Sequence, residues 1–259
     1  MKKVVKFISL FAGIGGLDLG LERTGMECVA QVEIDEFCQK VLNKHWPNVP
    51  KFKDVRDVGK HNLPTAELIC GGFPCQDVSV AGDRLGLEGE RSTLWSEFFR
   101  IVCEVRPGWV VIENVTGLLS SDDGGFFRKI LRELSEVGYD AEWRTISACE
   151  FGLFHLRERV FVVAYSRADS RPGLFGRDCQ ETGARNKIKA EWRKDWRFVE
   201  LVSTAAELLF CWQKELGQSP LVRVVDGIPH LLDRIRANGN AVVPQCAEFI
   251  GHCILNAIR

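Results

Sequence analysis

Residues 4–23 read VVKFISLFAGIGGLDLGLER, an apolar run of strand length that leads through a glycine-rich turn into an amphipathic stretch. The same alternation continues to about residue 165, and its periodicities predict buried strands joined by helices. The predicted strands are residues 4–11, 28–33, 67–71, 109–113 and 159–165, and the predicted helices are residues 17–23, 36–43, 93–105 and 127–137.

Strands that alternate with helices predict a doubly wound α/β domain, in which a mostly parallel sheet carries helices on both faces. No helix-length link separates the runs at residues 139–147 and 159–165, so these should form an antiparallel pair at the edge of the sheet. We expect residues 1–165 to form the main domain and residues 166–225 a small inserted module. Residues 226–259 should return to the main domain.

The composition is that of a folded protein, with 46% hydrophobic and 27% charged residues. No apolar stretch reaches the roughly 18 residues that span a membrane, and the N-terminal run lacks the features of a secretory signal. Ten cysteines without a C-x-x-C pair favour reduced thiols in the cytoplasm and no metal site. The net charge of −1 gives the chain as a whole no electrostatic attraction for nucleic acid. Residues 166–197 are locally basic, with nine Lys/Arg against five Asp/Glu.

Features at successive strand ends indicate a nucleoside ligand. The turn Phe11-Ala12-Gly13-Ile14-Gly15-Gly16 lets backbone approach a ligand closely. Asp18 stands where a dinucleotide-binding fingerprint has its third glycine, and a carboxylate there would repel a pyrophosphate. Glu33 ends the second strand and can accept hydrogen bonds from ribose hydroxyls. Asp54, near a third strand end, can accept one from an adenine amino group.

Reactive groups follow the next strands. Gly71-Gly72-Phe73-Pro74-Cys75-Gln76 exposes Cys75 at the carboxyl edge of the sheet, as a nucleophile that needs a cationic neighbour or a base. Glu113 ends an apolar strand, which is typical of a partly desolvated carboxyl with a raised pKa. Arg157 and Arg159, spaced i, i+2, project from one face of a strand towards one target.

These motifs, in this order, resemble the cytosine-C5 DNA methyltransferase family. The resemblance covers residues 11–165 and about 234–244, where Asn238-Gly239-Asn240-Ala241-Val242-Val243-Pro244 is similar to the family's last motif. It implies a Rossmann-like sheet with S-adenosylmethionine as cofactor, S-adenosylhomocysteine as product and no metal. The residues implied to form the cofactor site are Phe11, Gly13, Gly15, Gly16, Leu17, Glu33, Ile34, Asp54, Val55, Pro74, Leu94 and Asn240.

The resemblance also implies catalytic roles. Cys75 would attack C6 of a cytosine flipped out of double-stranded DNA, and Glu113 would protonate or hydrogen-bond its N3. Arg157 and Arg159 would engage the base O2 and a nearby phosphate and help keep Cys75 ionised. Residues 82–91 are rich in glycine and charge and would form a mobile loop that closes on DNA. The location would be cytoplasmic, in a bacterium or from a phage, with a cognate restriction endonuclease as a further candidate partner.

Two other functions stay open on these residues: the same chemistry on a tRNA cytosine, and a non-catalytic regulator that binds cofactor and DNA. The sequence also departs from the family pattern in two places. Phe154-His155 occupy positions where the family usually has Pro-Gln. About seventy residues stand between Tyr165 and Arg234, where the family carries its target-recognition domain, and this is short for reading several bases.

Overall fold

The structure is a computed structural model that describes residues 4–74, 87–153, 157–169, 174–175, 188 and 241–258. Seven strands of these residues form one sheet, in the order β3-β2-β1-β4-β5-β7-β6. The strands are β1 Lys6–Leu10, β2 Glu27–Val32, β3 Lys51–Phe52, β4 Leu68–Gly71, β5 Trp109–Val115, β6 Tyr139–Ser147 and β7 Glu158–Ser166.

The α-helices of the described part are numbered α1 to α5 along the chain. They are α1 Gly16–Arg23, α2 Glu36–His45, α3 Leu87–Val105, α4 Gly125–Glu136 and α5 Pro244–Ile258. Short 3-10 helices occupy Val55–Asp57, Thr116–Leu119, Ser121–Gly124, Ala148–Phe151 and Arg167–Asp169. None of the helices in these described ranges has the length and apolar character needed to cross a bilayer.

The sheet is parallel from β3 through β5, and β7 lies antiparallel between β5 and the edge strand β6. The predicted antiparallel edge pair is therefore confirmed. The physical reason is the short link between β6 and β7, which leaves no room for the helical crossover that a parallel pair needs.

Side chains of β1 alternate between the two faces of the sheet, as the period of a strand requires. Phe7 packs with Leu21 of α1 and Phe249 of α5, whereas Ile8 packs with Trp95 of α3 and Ile130 of α4. Helices thus cover both faces, which confirms the predicted doubly wound α/β class.

Helix α5 packs closely on α1 because two glycines of α1 leave room for it. A methyl group at Gly16 would overlap the carbonyl oxygen of Val242, and one at Gly20 would overlap that of Pro244. The C-terminal residues 241–258 therefore lie against the turn that follows β1. This packing supports the expected return of the C-terminal segment, while the boundaries 1–165, 166–225 and 226–259 stay a prediction.

The start of α3 corrects one expectation. The predicted loop at residues 82–91 is wrong in its second half, since α3 begins at Leu87 rather than near residue 93. Leu87, Glu88, Glu90 and Arg91 are good helix formers and outweigh the single Gly89 among them.

Candidate functional site

The carboxyl ends of β1, β2, β4 and β5 meet at one edge of the sheet because these strands run parallel. Open α/β sheets bind ligands at this edge. It carries the glycine-rich turn after β1, Glu33 after β2, Gly72 after β4 and Glu113 near the end of β5.

The turn after β1 has an unusual backbone. Gly13 and Gly15 have φ of 56° and 88°, and Phe11 has φ of 53°, which is strained for a residue with a side chain. The ring of Trp46 packs so closely on Gly15 that an added methyl group would overlap it. Glycine is therefore required at position 15, whereas a Cβ at Gly13 would have no atom within 4 Å, so the turn is open at that residue.

Glu33 is held by backbone donors on both oxygens. Oε2 accepts from the amide of Gly13 at 2.7 Å, and Oε1 accepts from the amide of Asp35 at 2.8 Å. Each carboxylate oxygen has a second lone pair, so Glu33 keeps acceptor capacity for ligand hydroxyls. Next to it, Ile34 is 58% exposed, and Phe11 on the other side of the turn is half-buried. Apolar groups thus flank a fixed carboxylate, which suits a ribose joined to a flat base.

Asp54 has a partner that the sequence analysis missed. Arg56 donates from Nε and Nη2 to both carboxylate oxygens of Asp54, at 2.5–3.1 Å, and these bonds hold the pKa of Asp54 below its usual value. The i, i+2 spacing of an acid and an arginine was a signal in the sequence. Asp54 is therefore a fixed, ionised acceptor, in keeping with the role expected for it towards an amino group.

Asp18 faces the sheet rather than the ligand edge. Its carboxylate is fully buried and accepts from Ser9 Oγ at 2.9 Å, Gln31 Nε2 at 2.8 Å and Cys28 Sγ at 3.4 Å. Burial raises its pKa, and these hydrogen bonds oppose the rise. The side chain therefore ties α1 to β1 and β2, and its predicted repulsion of a pyrophosphate does not act at the ligand edge.

Glu113 is the buried acid of the site. It is only 6% exposed, and burial raises its pKa to about 7 against the opposing effect of Arg159 and Arg157. Arg159 Nε lies 3.0 Å from Glu113 Oε1 in an ion pair between two largely buried side chains. Gly72 lies over the other oxygen, because a Cβ there would be 2.6 Å from Oε2. A carboxyl with this pKa can exchange a proton near neutral pH.

Two further hydrogen bonds join neighbouring segments of the chain close to Glu113 in sequence or in space. Asn114 Nδ2 donates to the carbonyl oxygen of Phe73 at 3.1 Å, so the segment that leads to Cys75 is held against β5. Arg157 Nη2 donates to the carbonyl oxygen of Ala241 at 2.7 Å and so joins β7 to the C-terminal segment. Both arginines were expected to engage the base and a nearby phosphate, which stays a prediction; in the structure Arg157 donates to a backbone carbonyl and Arg159 pairs with Glu113.

The other predicted residues fall into three groups. The side chains of Leu17 and Val55 are buried, so these residues would meet a ligand through their backbones. Pro74 is exposed and Leu94 half-buried. The remaining predicted residues lie outside the described ranges: Cys75, His155 and Asn240.

The described residues fit the adenosine part of S-adenosylmethionine. A fixed Glu33 suits ribose hydroxyls, and the ionised Asp54 suits an amino group.

Comparison with known proteins agrees with this geometry. The family model described as C-5 cytosine-specific DNA methylase matches residues 5–196. The chain is 36% identical to Type II methyltransferase M.DsaV of Dactylococcopsis salina over 67% of its own length and 49% of that protein. It is 34% identical to Type II methyltransferase M.HhaI of Haemophilus parahaemolyticus over 62% of its length and 49% of that protein.

A solved structure of a methyltransferase also resembles the chain. It is described as a DNA modification methyltransferase encoded within an E. coli prophage, and it superposes with a TM-score of 0.55 at 27% identity. The superposition covers 63% of this chain and 47% of that one. The chain thus spans about half the length of the curated relatives it matches. From the match over residues 5–196, the chain belongs to the C-5 cytosine-specific DNA methylase family.

Proposed function

We propose that the chain is the catalytic part of a DNA (cytosine-5-)-methyltransferase that uses S-adenosylmethionine. The observation that carries this proposal is the buried Glu113, whose pKa is about 7 and which lies directly under Gly72. Gly72 opens the described segment Gly72-Phe73-Pro74, and the predicted nucleophile Cys75 follows Pro74 in the sequence.

Cytosine C5 is too weak a nucleophile to take a methyl group unaided, and the two side chains together remove this barrier. The Cys75 thiolate would form a bond to C6 while the protonated Glu113 donates its proton to N3, so that negative charge does not build up on the ring. C5 can then accept a methyl group, which S-adenosylmethionine would supply. Loss of the C5 proton to a base then breaks the S–C6 bond and releases Cys75, and the proton on N3 returns to Glu113.

The arginines assist by charge. Arg159, beside Glu113 and 19% exposed at its side chain, can donate to the base O2 while it keeps its contact with the acid. Arg157 holds the segment next to Asn240 through the carbonyl of Ala241. A stacked base cannot reach these groups, so the target cytosine must leave the duplex, at a cost of a few kcal/mol.

The cofactor would lie along the ligand edge between Phe11 and Ile34. Glu33 would accept from its ribose hydroxyls, and Asp54 with the backbone of Val55 would meet the adenine edge. The backbone at Gly13, Gly15 and Gly16 allows the amino-acid end to approach closely.

The test is methyl transfer from labelled S-adenosylmethionine to mixed-sequence duplex DNA and, separately, to tRNA. We expect label in DNA but not in tRNA, and none with Cys75→Ser, which should still bind the cofactor by calorimetry. A duplex that contains 5-fluorocytosine should trap the wild-type protein covalently, because fluorine cannot leave C5 as a proton does. Transfer to tRNA alone would support the alternative function, a cytosine-C5 methyltransferase that acts on tRNA. Cofactor and DNA binding without transfer or trapping would make the chain a regulator.

A further inference from the structure

The segment of residues 54–59 carries the two groups proposed to meet the adenine edge, the side chain of Asp54 and the backbone of Val55. Its regular structure is the single 3-10 turn Val55–Asp57, so backbone carbonyls on either side of this turn need partners from elsewhere. Val55 and Val58 are 5% and 0% exposed, and their side chains pack in the core on the α3 face of the sheet. The buried valines anchor the segment in the core. Packing of these side chains does not by itself fix the backbone precisely enough for hydrogen bonding to a ligand.

Arg100 of α3 supplies those partners. Its Nη2 donates to the carbonyl oxygen of Val55 at 3.1 Å and to that of Val58 at 2.9 Å. One guanidinium nitrogen therefore joins the two ends of the 3-10 turn. Hydrogen bonds from a charged donor are stronger and more directional than those between neutral groups.

Two acids on the same face of α3 fix the guanidinium. Glu97 accepts from Nε at 2.8 Å, and Glu104 accepts from Nη1 at 2.8 Å. Glu104 also accepts from the amide of Lys60 at 3.0 Å, and Gly59 lies so close to it that an added methyl group would overlap the carboxylate. Residues 97, 100 and 104 are three and four apart on one helix, so they act as one rigid surface against the segment.

We propose that Arg100 is a positioning residue for the adenine ring of the cofactor, acting through the backbone of Val55 to set where Asp54 and Val55 meet that ring. This inference rests on the proposed function. Two arginines then have different roles. Arg56 orients the carboxylate of Asp54, and Arg100 holds the backbone that carries this side chain.

The test is calorimetry on the whole chain with two ligands, S-adenosylhomocysteine and S-inosylhomocysteine. In the second ligand an oxygen replaces the 6-amino group, so it cannot donate to Asp54. We expect the wild-type protein to prefer the adenosine ligand by roughly tenfold or more, since the inosine oxygen would face a carboxylate without a proton between them. In Arg100→Met the ratio of the two affinities should fall towards one, because the carboxylate of Asp54 is no longer held in one position.

Arg106→Met is the matched control. Arg106 lies just after α3 and also donates to a backbone carbonyl, that of Val137 at 2.8 Å, but this contact is remote from residues 54–59. The control should keep the wild-type preference. Arg100→Lys keeps the charge and can reach one carbonyl, so its preference should be intermediate, and it replaces Arg100→Met if that variant does not fold.

The possible results distinguish a failure of this inference from a failure of the proposed function. A general loss of stability would weaken both ligands equally and leave their ratio unchanged, so an unchanged ratio in folded Arg100 variants overturns the inference. A wild-type protein that binds both ligands equally overturns it as well. A wild-type protein that binds neither ligand refutes the proposed function instead.

Discussion

Replacing Arg159 by methionine should raise the pKa of Glu113 well above its value of about 7. Two unit charges 3.0 Å apart attract by roughly 5.5 kcal/mol at an effective dielectric constant of about 20. At about 1.4 kcal/mol for each pH unit, this attraction corresponds to a shift of about four units. Measured effects of a neighbouring opposite charge on a carboxyl are about one to three units, and we expect a value in that range.

The sign follows from which form the arginine favours. A positive charge stabilises the ionised carboxylate, so its removal leaves the protonated acid stable to higher pH. At pH 7 about half of Glu113 is protonated in the wild-type protein, and about nine-tenths or more should be in Arg159→Met. Methionine keeps the apolar stem of the side chain, so the acid should stay buried.

The assay is carbon-13 NMR of protein labelled at the glutamate carboxyl carbon, titrated between pH 5 and 9, with Glu113→Gln to assign the signal. Arg167→Met is the control, because Arg167 pairs with the exposed Asp140 at 2.9 Å and should leave Glu113 unchanged. A pKa in Arg159→Met that equals or falls below the wild-type value would refute the argument, since it would mean that the ion pair does not act on Glu113.

Two glycine variants test the close contacts at the site. Gly72→Ala would bring a methyl group to 2.6 Å from Glu113 Oε2 and displace the acid, so methyl transfer should fall by roughly 100-fold or more while the Tm measured by calorimetry changes little. An unchanged initial rate would contradict this. Gly16→Ala would overlap the carbonyl of Val242, a backbone atom that cannot turn aside, and should lower the free energy of unfolding by about 1–3 kcal/mol. Hydrogen exchange should rise at residues 241–258 in this variant but not in Gly138→Ala, which is strained by its φ of 93° but lies after α4 and has no atom within 4 Å of the added methyl group; equal exchange in both would contradict the packing.

Local sequence predicted the scaffold well. The apolar run at residues 109–113 falls within the observed strand Trp109–Val115, and the run at residues 159–165 falls within Glu158–Ser166. Apolar periodicity reports which residues a strand or helix buries, and this depends on neighbours in the chain. The same periodicity placed Glu113 near the end of a buried strand, from which a raised pKa was expected and found.

The side-chain partners at the site could not be read in that way. Asp18 was expected to act on the ligand, yet it binds Ser9 and Gln31 inside the protein. Arg157 and Arg159 look equivalent in the sequence, but one binds Ala241 and the other pairs with Glu113. Their i, i+2 spacing predicts that they project from the same side of the chain and cannot show what lies opposite.

By itself, the sequence predicted most of the strands and helices up to residue 165, the sheet edge expected to bind a ligand, and the buried acid near that edge. Only the tertiary structure decided that Gly72 covers Glu113, that α5 lies on α1, and that Arg100 holds the segment after β3. The physical reason is distance along the chain. Periodicity arises between residues a few positions apart, whereas these contacts join groups tens to hundreds of positions apart, and their geometry exists only once the sheet has brought them together.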